Sequence, residues 1–157
     1  MSVTQDTFGQ YAGIGFHGQQ NTDYPAWISS QHAEGGAIPF GVAVSFGTAD
    51  HQAVLGGTAA ANLIGVTVRT QAVENNAAGE SVYAEDKAMS VMEKGRMFVT
   101  VSDGATRGGQ VYVIQATGEL VSSANDGAAT PVAYLALAGA RFLRSCAAGE
   151  VSEIEIK

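Results

Sequence analysis

Short runs of alternating apolar and polar residues, closed by glycine-containing turns, dominate this sequence and constrain its fold more than any other feature. Side chains of a strand alternate between its two faces, so such runs build half-buried strands. A helix needs a 3.6-residue period held over several turns, and the glycines break most stretches before that. In residues 38–46 (IPFGVAVSF), Val42, Val44 and Phe46 fall on one face. Ile64, Val66 and Val68 do so in 63–69 (LIGVTVR), and Met97, Val99 and Val101 in 96–101 (RMFVTV). Residues 89–92, 111–114, 120–121, 132–137 and 141–143 are further strand candidates. The end of the chain, 152–157 (SEIEIK), alternates Ile154 and Ile156 with Glu153 and Glu155. Turn signals stand at Lys94-Gly95, Ser102-Asp103-Gly104, Gly108-Gly109, Thr117-Gly118 and Asn125-Asp126-Gly127. Only 58–62 (TAAAN) offers a helical turn, with Thr58 as its cap. Many short strands with frequent turns predict an all-β fold, a compact antiparallel β-barrel or sandwich spanning residues 38–157.

Residues 1–37 have a different texture. They hold three charges, Asp6, Asp23 and Glu34, and six glycines, with no period of 2 or 3.6. They also carry Phe8, Tyr11, Phe16, Tyr24 and Trp27. Disordered segments are poor in aromatics. The stretch is therefore expected to be an extended N-terminal arm that orders against a neighbour. Phe16, Tyr24 and Trp27 are its candidate interface residues, and Pro25 stiffens the segment between the last two.

Charge narrows the function. Fifteen acids against eight bases give a net charge of −7, and every Lys and Arg lies beyond residue 68. Nucleic-acid binding needs basic patches that displace phosphate counterions, so neither DNA nor RNA is an expected partner. An anionic membrane is disfavoured for the same reason. The longest apolar run, 132–140, is far too short to span a bilayer. The first ten residues have neither the basic start nor the apolar stretch of a secretion signal, so a soluble chain made in the cytoplasm is expected. A single cysteine, Cys146, cannot close an intrachain disulfide.

Chemistry finds little purchase. His17, His32 and His51 are not at metal-ligand spacing, and no serine sits in a G-x-S-x-G elbow. Residues 104–109 (GATRGG) lack the Lys-Ser/Thr end of a phosphate loop. Asn125-Asp126-Gly127 is not followed by the other ligands of a calcium loop. Lys94 beside Gly95 lacks the neighbours of a lipoyl- or biotinyl-lysine. No catalytic, cofactor or metal residue is expected. Read from its residues alone, the chain is an all-β assembly module.

Several blocks go further. Ile38-Pro39-Phe40-Gly41 precedes a strand, followed by Ile64-Gly65-Val66-Thr67-Val68-Arg69, Met89-Ser90-Val91-Met92 and Gly95-Arg96-Met97-Phe98-Val99-Thr100-Val101. Then come Gly108-Gly109-Gln110-Val111-Tyr112-Val113, Gly139-Ala140-Arg141-Phe142, Gly149 and an alternating final strand. In this order and spacing, over roughly residues 35–157, they resemble the structural cement, or decoration, proteins of tailed-phage capsids. The family often has Asp near Gly108-Gly109, where this chain has Gln110. The resemblance implies a non-enzymatic virion protein that rivets capsomers from outside by bridging major capsid protein subunits. It also implies a symmetric oligomer, expected here to be a homotrimer, with a dimer second, because closed symmetry avoids open-ended fibres. The competing readings are a small tail or baseplate structural protein, and a carbohydrate-binding β-module with Tyr24 and Trp27 as its platform.

Overall fold

The computed structural model describes residues 15–71, 74–75, 77–124 and 133–157. Phe8, Tyr11 and the Asn125-Asp126-Gly127 turn candidate lie outside the described residues. The strands are β1 Trp27–Glu34, β2 Ile38–Pro39, β3 Ala43–Phe46, β4 Gln52–Leu55, β5 Leu63–Thr67 and β6 Glu74–Asn75. They continue with β7 Ser81–Tyr83, β8 Ala88–Val101, β9 Gln110–Ile114, β10 Leu120–Val121, β11 Tyr134–Phe142 and β12 Glu150–Ile156. One 3-10 turn, Ala60–Asn62, sits where the helical turn was expected, but Ala59 rather than Thr58 is at its start and no side chain caps it.

Nine strands follow the order β1-β4-β3-β5-β8-β12-β11-β9-β10, and β1 also pairs with β8. That extra pairing closes the first five strands into a ring. The remaining strands extend from the far half of β8 as an open sheet, and β2, β7 and β6 form a small separate sheet. The fold is all-β and barrel-like, as the alternation predicts. Among the described residues its strand pairings are antiparallel except one, because β1 runs parallel to β4 with His32 opposite Gln52 and Glu34 opposite Val54.

Strand β8 joins the two parts and serves two cores. Met89 and Val91 pack in the ring with Ile38, Phe40, Val42, Val44 and Tyr83. Met92, Met97, Val99 and Val101 pack beneath the open sheet with Val66, Val111, Leu120, Phe142 and Ile154. Met92 and Met97 are five residues apart, an odd step that would put them on opposite faces of a regular strand. A bulge reconciles them. Trp27 pairs with Lys94 and Ile28 with Met92, which leaves Glu93 unpaired, and Gly95 follows with φ at 134°. Such an extra residue shifts every later side chain to the other face. Lys94-Gly95 therefore follows a bulge inside one strand of 14 residues and is not the turn that the sequence suggested. A bulge and a turn draw on the same conformational freedom of glycine.

Two further expectations need correction. Val66 and Val68 are buried as expected, but Ile64 packs against the ring core instead of lying with them. The register slips there, with Val44 opposite Gly65 and Ser45 opposite Leu63, so Ile64 is the extra residue. Val42 and Val44 are buried, but Phe46, third on their face, is 63% exposed, because β3 has reached its hairpin tip.

The stretch expected to be an arm up to residue 37 contains β1, which is paired along β8 from Trp27 opposite Lys94 to His32 opposite Ala88. The sequence WISSQHAE carries no apolar alternation, because the residues on its inner face, Ser29 and Gln31, are polar and half-buried and only Ala33 is fully buried. Backbone pairing, not apolar burial, places this strand.

Candidate interaction surface

The residues before β1 also run along β8, past the bulge. Gly18 donates its N–H to the Phe98 carbonyl (2.8 Å), Phe98 donates to Gln19 (2.8 Å) and Asn21 donates to Arg96 (2.9 Å). Gln20 bridges Met97 in antiparallel sense, and Gly15 lies against the Phe98 ring. Residues 15–34 thus follow nearly the whole of β8, and their aromatic side chains are left on the outside. Phe16 is 71% exposed, Trp27 67% and Tyr24 42%, with Ile28 beside Trp27 at 39%.

Each of the three interface candidates has a definite setting. Tyr24 stacks on the Arg96 guanidinium, 3.5 Å from its ring centroid. Arg96 in turn holds Glu155 (2.9 Å), which also receives Arg141 (2.7 Å) and lies 3.7 Å from Lys157. Register creates this row: Arg96, Glu155 and Arg141 are directly opposite one another on β8, β12 and β11. Donated hydrogen bonds from Arg141 and Arg96 hold the Glu155 carboxyl below the usual carboxylate range. The side chain of Asn21 donates to Glu153 (2.8 Å) and ties the segment to the same sheet face. Tyr24 is therefore partly engaged within its own chain. Trp27 and Phe16 have no comparable aromatic or cationic partner among the described residues.

Sequence reasoning missed His17. Its Nδ1 accepts the Thr100 N–H at 2.9 Å, and its ring lies on Gly41, where a Cβ would come within 2.4 Å. Burial first, then the Arg69 charge, lower its basicity; a hydrogen bond with the Phe40 backbone and the Glu119 charge act the other way. His17 thereby pins the segment to the end of the ring. Nothing local in FHGQQ signals this, since Thr100 and Gly41 are remote in sequence. His17 also borders a cleft of about 690 Å³, with Phe40, Val42, Leu55 and Leu120 beside Arg69, Glu80 and Glu119.

His32 and His51 do meet, through the His32 N–H and the His51 carbonyl at 2.7 Å. No group of His, Cys, Asp and Glu among the described residues is placed to hold a metal ion. Cys146 is half-buried beside Ala105, and burial raises its thiol above the ordinary value.

Residues 4–157 match the family described as structural cement protein (E217 gp24/Pam3 gp6). The chain belongs to this family of phage structural cement proteins. The fold agrees with a solved chain from the capsid of Myoviridae phage XM1, at 21% identity and a TM-score of 0.72, covering 99% of this chain and 98% of that one. The N base of the head fibre gp8.5 of bacteriophage phi29 is more distant: 9% identity, a TM-score of 0.44, and coverage of 85% and 95%. No curated protein matches in sequence. As a structural cement protein, the chain has a structural, capsid-stabilising role.

Proposed function

We propose that this cement protein bridges major capsid protein subunits from the outside of the shell, as a symmetric oligomer, and catalyses no reaction. The observation that carries this reading is the display of Phe16 and Trp27. Both are large aromatics left more than half exposed on a segment held to β8 by backbone hydrogen bonds. A lone exposed aromatic means little, but rigidly presented aromatics are the usual anchors of protein interfaces. Holding them in advance of binding lowers the ordering entropy that association must overcome. Tyr24, stacked on Arg96, is the third contact and supplies a polar rim. The oligomer is a homotrimer, suited to three-fold positions of a shell. A carbohydrate platform would want Tyr24 and Trp27 facing one sugar, but the stacking of Tyr24 on Arg96 already commits part of that ring.

The test is binding to purified shells that lack this protein. Phe16→Ala and Trp27→Ala should each melt within about 0.5 kcal/mol of the wild type, as exposed substitutions do. Each should weaken shell binding at least about tenfold, as loss of an interface anchor does. Light scattering on the same samples reads the oligomer mass. Wild-type shell binding by the double variant would refute the assignment of these anchors, and a monomeric mass both free and on the shell would refute the trimer.

A further inference from the structure

The strand β1 is paired unevenly. Along β8 it pairs from Trp27 to His32, but β4 pairs with His32–Glu34 alone. Backbone direction can be read from two hydrogen bonds. The His32 N–H points to the β4 side, to the His51 carbonyl, and the Ala33 N–H points to the β8 side, to the Lys87 carbonyl. Successive N–H groups of a strand alternate between its edges, and the register is regular from Ile28 to His32. Ser29 and Gln31 therefore face β8, while Ile28 and Ser30 face the other way, to an edge that no strand occupies among the described residues.

Natural sheets guard open edges with Lys, Pro, inward charges or a covering loop, because an unguarded edge pairs with other chains. Among the described residues this edge has no such guard. Residues 27–31 (WISSQ) contain no charge and no proline, and Ile28 and Ser30 are exposed. The guards lie just outside it, with Pro25 before and Glu34 after. Trp27 and Ile28 flank the edge with exposed apolar surface, continuous with the anchors assigned above.

We propose that the Ile28–Ser30 edge of β1 is a strand-addition site that takes an extended, uncharged, apolar-bearing segment of the shell protein. Main-chain hydrogen bonds supply the affinity in this mode of recognition, and alternate side chains of the added strand supply the selectivity. The uncharged window suits such a segment, because a chain of net charge −7 would repel an acidic one elsewhere. This inference rests on the reading of the protein as a shell-binding cement and specifies how the contact is made.

Proline discriminates the two edges of β1. Ser30→Pro removes an N–H that faces the open edge, a placement that strands tolerate. Its expected outcome is a wild-type melt and a loss of shell binding of at least tenfold, with Ser30→Ala binding normally. Hydrogen exchange on the wild-type protein, with and without shells, gives a second reading that needs no variant. The Ile28 and Ser30 amides should slow at least tenfold on binding, while those of Ser29 and Gln31, already paired with β8, change little. Wild-type binding by a folded Ser30→Pro protein, or unchanged exchange at Ile28 and Ser30, overturns the proposal. So does loss of self-association by Ser30→Pro without loss of shell binding, which would assign the edge to a second copy. The anchor variants fail or succeed independently: weak binding by Trp27→Ala beside normal binding by Ser30→Pro would retain the shell contact and reject strand addition.

Discussion

At the scale of single residues, the instructive side chain is His17, because a polar group far from any motif anchors a segment that alternation cannot place. It lies between an accepted N–H from Thr100 and the ring-end backbone at Gly41. Its Nδ1 must be unprotonated to accept that N–H, so the other nitrogen carries the proton in the neutral ring. Protonation would set two donors against each other. The lowered basicity of His17 gives the sign of the pH effect. A base whose folded value is depressed binds its proton more readily in the open state, so docking of residues 15–21 strengthens with rising pH. The contribution is fully present above the ordinary histidine value of about 6.5 and is lost as pH falls from there through the depressed folded value. The charges facing His17 are Arg69 and Glu119, with Glu80 in the same cleft. Proton NMR should show the Gly18 and Asn21 amides losing exchange protection as pH drops below that value, beyond the intrinsic pH effect. His17→Gln, which still offers an acceptor and does not titrate, should abolish the pH dependence. An equal loss in that variant would assign the effect to the carboxylates instead.

At the scale of elements, β8 organises the molecule, and its bulge at Glu93 is what turns Met97, Val99 and Val101 to the same side as Met92. Ahead of the bulge, Met89 and Val91 face the ring; beyond it, Met97, Val99 and Val101 face the open sheet's core. Gly95, at φ 134°, sits where a Cβ would come within 2.9 Å of the Ala26 Cβ. Gly95→Ala should therefore destabilise by about 1–3 kcal/mol, the range for a strained backbone position, measured by urea unfolding. A neutral result would show that the bulge relaxes freely. The sequence signalled both strand segments and the glycine between them, but not that they are one strand. A turn and a bulge have the same local signature, and only the partners on either side, β1 and β12, distinguish them.

For the whole molecule, the N-terminal region divides at Trp27. Residues 27–34 close the ring by pairing with both β8 and β4, while 15–26 lie on β8 outside it. Removing residues 1–26 should leave a cooperative melt and reduced shell binding. Removing residues 1–30 takes half of β1, exposes the ring edge of β8 and should abolish the cooperative melt. Circular dichroism on the two truncated chains checks this, and a cooperative, wild-type-like melt of the shorter chain would mean that the ring does not depend on β1.

The sequence by itself determined the class of the fold, most strand positions and the burial of Met97, Val99, Val101, Ile154 and Ile156, because period-2 alternation is written locally wherever one face meets a core. It also brought Phe16, Tyr24 and Trp27 forward as aromatics without a period to bury them. Tertiary structure alone decided the rest. It placed β1, whose side chains leave no apolar pattern, and the short strands β4, β6 and β7. It brought Arg96, Glu155 and Arg141 into one row through register, and among the described residues it left the Ile28–Ser30 edge without a partner strand. Each of these depends on which strand lies beside which. Backbone hydrogen bonds, the same for nearly every residue type, make that choice, and so leave little trace in the identities of the side chains.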